Sequence, residues 1–392
     1  MNWRSLTPTE IKKATPVFVA DLFFSLHYAA ILYVNSSLLE EYFSLTTVSL
    51  LFVLGACGNI ILFFLAPQLL KKVGNRGLFF IFVLFEALAT AGLALAHTAH
   101  SVIVYFLILS SVSTMIYFCI DIFLEDASLE ENTGEIRGID LTIANTAIAL
   151  GPLLITLFVV TNDFVQLYAL STILLFPLLY LLFFDFKDFK DGEVKPEEGR
   201  FLDAVRLWWR DRDIKSVTIA RFILEFFYAV MVVYVPVYLH EHIGFSWSEI
   251  GSIFAIMLLP FIFLQLPAGE VADRWLGEKE IMTLGFICTG VAVLLMPSLD
   301  KSFALWTLAL TLSRVGAALI EIMTDTFFFK HVDKRDTGLI SVFRLSRPVG
   351  LVAGALLGIA VLAHYGYDEL FFLLAVICVW GVAETAKLRD TK

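Results

Sequence analysis

Charged residues are scarce in this chain of 392 residues: 17% are Asp, Glu, Lys or Arg, whereas 59% are hydrophobic. A soluble globular chain carries roughly 25% charged residues. So few charges cannot cover the surface of a protein of this size in water, which excludes a water-soluble domain. The net charge of −10 is spread over loops, and the chain has no basic domain, so we expect no nucleic-acid partner.

Residues that bind metals or act as nucleophiles are also rare. The four cysteines lie far apart inside apolar runs, without the spacing of metal ligands or of a disulfide framework, which favours a packing role (Cys57, Cys119, Cys288 and Cys378). Paired histidines occur in expected outer loops, but nothing in the sequence brings the loops together. The chain lacks a His-box, a nucleophile elbow and a phosphate loop. We therefore expect no metal, no cofactor and no enzyme activity.

Long apolar runs, by contrast, fill the chain. A helix crosses a bilayer with about 20 mostly apolar residues, and it satisfies its own backbone hydrogen bonds in lipid. Residues 1–15 lack the apolar core and cleavage site of a signal peptide, so we expect the first run to remain as a membrane helix. The sequence predicts an all-α membrane protein with twelve spans, numbered here in chain order: 15–38, 46–69, 77–97, 101–124, 139–160, 164–185, 216–239, 247–270, 280–298, 302–327, 338–363 and 368–387.

One long polar stretch divides the spans into two sets of six. It runs from 186 to 215 and is dense in charged residues. Its second half, which begins at Phe201, has the pattern of an amphipathic helix on a membrane surface. The predicted organisation is a six-helix half at 1–185, a linker at 186–215 and a second six-helix half at 216–392.

The distribution of Lys and Arg predicts the orientation. Of 28 such residues, four lie inside spans, 23 lie in the termini and even-numbered loops when Lys387 at the end of span 12 is counted with the C-terminus, and Lys301 alone lies in a loop of the other side. Positive residues are retained in the cytoplasm. We therefore expect both termini and the linker in the cytoplasm, with the protein in a bacterial inner membrane.

The two halves align at an offset of about 200 residues. The matches that carry weight are acids, Tyr and Gly: Tyr28 on Tyr228, Tyr33 on Tyr234, Asp121 on Glu321, Glu125 on Asp325, and Gly138 on Gly338. Two pseudo-symmetric six-helix halves around a central cavity form a transporter architecture.

The loop after span 8 resembles the signature loop of the major facilitator superfamily. It contains Gly269, then Asp273 and Arg274, then Gly277. The corresponding first-half loop keeps Gly74 but has Lys71 where the acid is expected. The resemblance extends over essentially the whole chain and implies the major facilitator fold and transport by alternating access.

A second resemblance is to drug–proton antiporters. Gly138, Gly151 and Pro152 have the spacing of the span 5 motif of that branch, although Ala147 stands where the motif has a glycine. In the family fold, spans 1, 4, 7 and 10 line the central cavity.

Ionisable side chains within spans are costly in lipid, by about 2.5 kcal/mol or more at the helix centre, so they are expected to face a cavity or a partner. The candidates for proton coupling or substrate binding are Asp21, His27, Tyr28, Asn35, Arg221, Glu225, Tyr228 and Arg314. Asp21 and Glu225 are predicted to share Arg221 as a partner. The candidates for an inner gate are Asp121, Glu125, Glu321, Asp325, Arg344 and Arg347. No role is predicted for Glu86.

The leading hypothesis is a secondary transporter that uses protons to export small amphipathic or lipophilic molecules, as a monomer. Many aromatic residues, several buried acids and the partial span 5 motif favour it. A proton-coupled importer of a polar metabolite is the alternative, for which paired arginines and acids would hold the substrate. A membrane receptor, a lipid scramblase or a membrane enzyme on the same scaffold is a minor alternative.

Overall fold

The fold is described from a computed structural model, over residues 8–127, 133–159, 163–188, 201–264, 267–268, 271–332 and 337–389. Nearly all of these residues are helical, as the sequence predicts. The helices of the first six spans are Pro8–Leu32 with Asn35–Glu40, then Leu45–Ala94, Ala99–Ala127, Thr133–Phe158, and Val165–Ile173 with Phe176–Phe184.

The linker region contributes a short 3-10 turn, Phe186–Asp188, and the helix Phe201–Arg210 where the amphipathic pattern predicts one. The remaining linker residues, 189–200, lie outside the described part. Helices of the second six spans are Arg212–Val233 with Val235–Val237 and the π-helix Tyr238–His242, then Trp247–Phe263, Glu278–Leu295, Phe303–His331, Thr337–Arg344 with Ser346–Leu362, and Tyr367–Thr385.

Within the described residues, ten helical segments are long and apolar enough to cross a membrane. The two remaining predicted positions, spans 8 and 12, also hold helices. Trp247–Phe263 is an apolar helix of 17 residues. Tyr367–Thr385 is longer, with 19 residues, but carries Asp368 and Glu369 in its first turn and Glu384 near its end. Length and composition thus confirm ten of the twelve spans.

The starts of two second-half spans follow from local capping. Asp211 precedes span 7, and its carboxylate accepts hydrogen bonds from the amides of Asp213 and Ile214. Ser246 precedes span 8 and forms a reciprocal capping box with Glu249. These side chains satisfy backbone amides that have no partner within the helix.

The chain divides into two compact units. The first unit comprises Met1–Tyr42 and Leu54–Lys195, and the second comprises Phe43–Val53 and Pro196–Lys392. Phe79, Phe123 and Phe186 form an aromatic group in the core of the first unit, with ring centroids of Phe123 and Phe186 4.4 Å apart.

In the second unit, the hydroxyls of Ser49 and Tyr234 lie 2.7 Å apart, and Tyr234 donates to the carbonyl of Ala355 at 2.8 Å. These bonds connect Phe43–Val53 to spans 7 and 11 of its unit.

The loop predicted between spans 2 and 3 is largely helical instead. Leu45–Ala94 runs through it, interrupted only by the backbone of Gly74 at φ 70°, ψ 169°. Gly277, in the equivalent loop before span 9, has φ 92°, ψ 160°. This backbone region is essentially restricted to glycine. A glycine therefore lets the chain reverse with no intervening loop.

Equivalent residues of the two halves have equivalent structures. Span 1 is broken at Tyr33 and span 7 at Tyr234, the pair that the sequence repeat aligns. A Cβ built on Gly151 of span 5 would lie 2.3 Å from the Cβ of Ala29. A Cβ on Gly354 of span 11 would lie 2.7 Å from the Cβ of Ala229, the repeat mate of Ala29. Small residues thus allow the same close helix approach in both units.

Candidate functional site

Five predicted site residues of the second half, three assigned to coupling or substrate binding and two to the inner gate, lie on two helix faces. Arg221, Glu225 and Tyr228 follow one another at intervals of four and three residues on span 7, so they share one face. Glu321 and Asp325 are one turn apart on span 10. The fold places these two faces against each other.

Arg221 is the centre of this charge cluster. Its Nε donates to Glu225 Oε1 at 2.9 Å, its Nη1 to Asp325 Oδ1 at 3.1 Å, and its Nη2 to Glu321 Oε1 at 3.4 Å. The Tyr228 hydroxyl donates to the other oxygen of Glu321 at 3.4 Å. These hydrogen bonds define the Arg221 cluster, which consists of Arg221, Glu225, Tyr228, Glu321 and Asp325.

Acids outnumber the arginine within this cluster. The exposed fraction of the side chains rises from 6% at Glu225 to 27% at Glu321 and 45% at Asp325, so the cluster grades from buried to solvated. Arg344 acts electrostatically on Asp325, and Arg347 acts on Glu321. Both arginines are exposed. Glu225 is therefore the acid most dependent on Arg221 alone.

Arg314 lies beside the cluster in an unusual environment. Its residue is 2% exposed, and its Nη1 atom is buried without a hydrogen-bond partner. Its guanidinium lies over two aromatic rings of span 7, with Cζ 5.0 Å from the Phe227 centroid and 5.9 Å from that of Tyr228. A cation over an aromatic face is stabilised by the ring quadrupole. The free N–H nevertheless remains a donor in a site with almost no exposed surface.

The first unit holds the predicted span 1 residues in separate contacts. Ser25 donates to Asp21 Oδ1 at 3.0 Å, and its hydroxyl lies 3.1 Å from the Tyr117 hydroxyl. The Tyr28 ring meets the edge of Tyr117, with centroids 5.9 Å apart. Asp121 is near enough to Asp21 to act on it electrostatically.

Asn35 and His27 have partners on span 6. The Tyr168 hydroxyl donates to Asn35 Oδ1 at 2.5 Å. His27 contacts Ser171, and on its other side it meets Glu86 of span 3, with Nε2 3.2 Å from Oε1. Sequence reasoning missed this role of Glu86. The only signal was an acid within an apolar span, which did not specify the partner.

Some predicted residues belong to packing or to undescribed parts. Gly151 permits the close approach of span 5 to span 1, and Pro152 is buried beside it. Gly277 forms the turn before span 9. Gly269 and the side chains of Glu125, Asp273 and Arg274 lie outside the described residues, as do the surroundings of Gly138. Among the described residues, no three His, Cys, Asp or Glu side chains converge as metal ligands would.

Comparison with solved structures identifies the fold. A point mutant of the nucleoside transporter NupG matches with a TM-score of 0.77 at 15% identity, covering 96% of this chain and all of the other. A bacterial homolog of the human lysosomal transporter Spinster, solved inward-facing and unoccupied, matches with a TM-score of 0.73 at 11% identity, covering 99% of this chain and all of the other.

A search of curated proteins by sequence finds no match. The family model of the major facilitator superfamily, however, matches residues 17–258 and again 217–386, which together span nearly the whole chain. With the twofold helical repeat and the glycine turns before spans 3 and 9, the chain belongs to the major facilitator superfamily and is an integral membrane transporter.

Proposed function

We propose that this protein is a proton-coupled secondary transporter that exports small amphipathic molecules from the cytoplasm. It works as a monomer, with both termini and the linker in the cytoplasm. The observation that carries the proposal is the joint placement of Arg314, with its free N–H, and the acid-rich Arg221 cluster on either side of Tyr228.

The substrate chemistry follows from what these groups lack. Arg314 Nη1 needs an acceptor oxygen, which a carboxylate or carbonyl of a substrate supplies. Glu225, the most buried carboxylate of the cluster, has Arg221 as its ion-pair partner, and a protonated amine can take the place of that arginine. Tyr228 and Phe261, with ring centroids 6.3 Å apart, offer aromatic surface beside these groups. An aromatic zwitterion matches all three requirements.

Proton coupling follows from the same ion pair. Arg221 holds Glu225 at 2.9 Å, and a buried carboxylate that loses its cationic partner must be neutralised by a proton or by another cation. A substrate amine competes for the same acid. Proton and substrate then occupy the site in alternation, which is the requirement for exchange in opposite directions.

Import of a polar metabolite is the alternative, and one observation favours it. The polar side chains of the Arg221 cluster suit a hydrophilic substrate, and a nucleoside transporter is among the structural matches. A nucleoside such as uridine is therefore the competing probe.

The test uses purified full-length protein in liposomes with an imposed pH gradient. Norfloxacin, a fluorescent aromatic zwitterion, should accumulate in vesicles with an acidic lumen, and a protonophore should abolish the accumulation. Protein-free liposomes correct for passive entry. Gradient-driven movement of uridine but not of norfloxacin would establish the importer instead. If neither compound moves, the proposed substrate class is wrong.

A further inference from the structure

The first unit contains a buried ionisable pair that the proposed mechanism does not use. His27 of span 1 and Glu86 of span 3 both have side chains with 0% exposure. Burial of one unpaired charge in such a place is strongly unfavourable, so the two groups must be considered together. Span 4 adds Ser113 and span 6 adds Ser171, so four spans converge on the pair.

The hydrogen bonds fix one of the imidazole protons. His27 Nδ1 lies 2.9 Å from the backbone carbonyl oxygen of Ser171. Nδ1 also lies 2.8 Å from the Ser171 hydroxyl. A carbonyl oxygen only accepts, so the geometry favours the tautomer in which Nδ1 carries the proton. The Ser171 hydroxyl has an acceptor of its own in the carbonyl of His27, at 3.0 Å. Nε2 is therefore the imidazole nitrogen that can either carry a proton or lack one.

Nε2 faces one oxygen of a carboxyl group whose other oxygen is free. The distance from Nε2 to Glu86 Oε1 is 3.2 Å, and the Ser113 hydroxyl lies 2.6 Å from that same oxygen. Glu86 Oε2 is buried without a hydrogen-bond partner. An ionised carboxylate with one oxygen unpartnered is strongly unfavourable in this place, whereas the neutral carboxylic acid avoids the cost of burying a charge.

The net charge of the His27–Glu86 pair depends on how many protons it carries. With Nδ1 protonated, one further proton shared between Nε2 and the carboxyl group makes the pair neutral. Removal of that proton leaves one negative charge with no exposed surface. The neutral form is therefore favoured while the pair is buried.

Other titratable groups of the surrounding spans have their own contacts. Asp21 of span 1 and Tyr117 of span 4 bond to Ser25, and Tyr168 of span 6 bonds to Asn35. Asp121 of span 4 acts on Asp21. Among the described residues, His27 is the titratable group that faces Glu86.

We propose that the His27–Glu86 pair is a second proton-binding site, which takes one proton from water and releases it to water during the transport cycle. This inference rests on the proposed proton coupling, but it assigns the site to the first unit and to residues outside the Arg221 cluster. The pair changes only between a neutral and an anionic form.

An infrared pH titration of the full-length protein in lipid nanodiscs tests the site without any substrate. Wild type should show carboxylic-acid C=O absorption that disappears as pH rises, and Glu86→Gln should lack the component of that absorption that comes from Glu86. Asp21→Asn, which changes a different buried acid, should retain it. In His27→Gln, Glu86 has no imidazole partner, so its band should persist to higher pH. A wild-type band that is unchanged in Glu86→Gln overturns the proposal.

Ser113→Ala covers the case in which Glu86→Gln does not fold. Ser113→Ala removes the hydroxyl that lies 2.6 Å from Glu86 Oε1, so the midpoint of the band should shift by about one pH unit. An unmoved midpoint overturns the proposal.

Transport separates this inference from the proposed function. If wild-type norfloxacin transport is driven by a pH gradient, Glu86→Gln should reduce the number of protons exchanged for each substrate. An unchanged ratio counts against the pair as a site of the cycle. If wild type shows no gradient-driven transport but the infrared band titrates, the proposed function fails and the proton site stands.

Discussion

Gly350 of span 11 lies directly against Glu225 of span 7: a Cβ built on Gly350 would be 2.7 Å from the Cβ of Glu225 and 2.9 Å from the amide nitrogen of Phe226. The position of the most buried acid of the Arg221 cluster is thus determined by a glycine on a neighbouring helix.

The first prediction concerns this contact. Gly350→Ala should destabilise the protein by about 1–3 kcal/mol, because the backbone of span 7 must move to accept a methyl group. It should also slow gradient-driven transport through displacement of Glu225. Thermal unfolding in detergent measures the first effect. Val349→Ala, at an adjacent position with 46% exposure, is the matched control. Equal unfolding temperatures for Gly350→Ala and wild type would refute the contact.

A second prediction concerns proton coupling by the acids of spans 1 and 7. Asp21→Asn and Glu225→Gln should each leave the fold intact, and at least one should abolish norfloxacin transport driven by a pH gradient while sparing exchange at equilibrium. The reason is that an amide cannot take up the coupling proton. Normal pH dependence in both variants would move the coupling acid elsewhere, with Asp121 and Glu321 as the next candidates.

Arg314 leads to a third prediction. Arg314→Lys keeps the charge but loses the planar group that lies over Phe227 and carries the free N–H. Norfloxacin binding, followed by fluorescence titration, should weaken about tenfold, which corresponds to ~1.4 kcal/mol. Lys301 also lies over a ring, that of Phe245, at 5.6 Å, but it belongs to the loop between spans 9 and 10, so Lys301→Ala should bind norfloxacin normally. Equal affinity for Arg314→Lys and wild type would exclude Arg314 from the site.

The glycine turns support a fourth prediction. Gly74→Ala and Gly277→Ala should each lower the free energy of unfolding by about 1–3 kcal/mol, because their backbone region excludes a side chain. Gly366 has an extended backbone, with φ −129° and ψ −171°, so Gly366→Ala should have little effect. The comparison requires only unfolding curves of the three variants. Similar losses at all three positions would show that backbone conformation is not the cause.

Topology is the fifth prediction. In a variant with Cys57 and Cys288 replaced by Ser, Glu193→Cys should react with an impermeant thiol reagent only from the cytoplasmic side. Lys301→Cys should react only from the outside, because it lies in a loop of the opposite face. Labelling of Glu193→Cys in intact cells would reverse the predicted orientation.

The sequence was sufficient for the family and for most of the spans, because the hydropathy of a span is a local pattern and the twofold repeat can be read by aligning the sequence with itself. It also predicted that Arg221 and Glu225 interact, since they are four residues apart on one helix. Glu321 and Asp325 were expected to pair with Arg344 or Arg347, whereas the fold brings both acids to Arg221 as well. That contact spans about a hundred residues, and helical periodicity carries no information about it.

Glu86 is a second residue whose partner could not be predicted from helical periodicity. Its position in an apolar span indicates that it has a partner, but His27 lies 59 residues away on another helix. Likewise, the charged residues between spans 2 and 3 predicted a loop. The chain is instead helical on both sides of Gly74, and the backbone angles of this one glycine make the turn.

Span 7 has a consequence for how the protein reaches its membrane. Its most apolar window is 83% buried, compared with 28% for span 5, so almost none of it faces lipid. Spans 10, 11 and 12 of the second unit pack on it. During synthesis span 7 emerges before these helices, when Arg221 and Glu225 have no acids of span 10 and no glycine face of span 11 to meet. Its stable insertion therefore depends on later helices, and a chain that stops before span 11 should be recognised as incomplete and degraded.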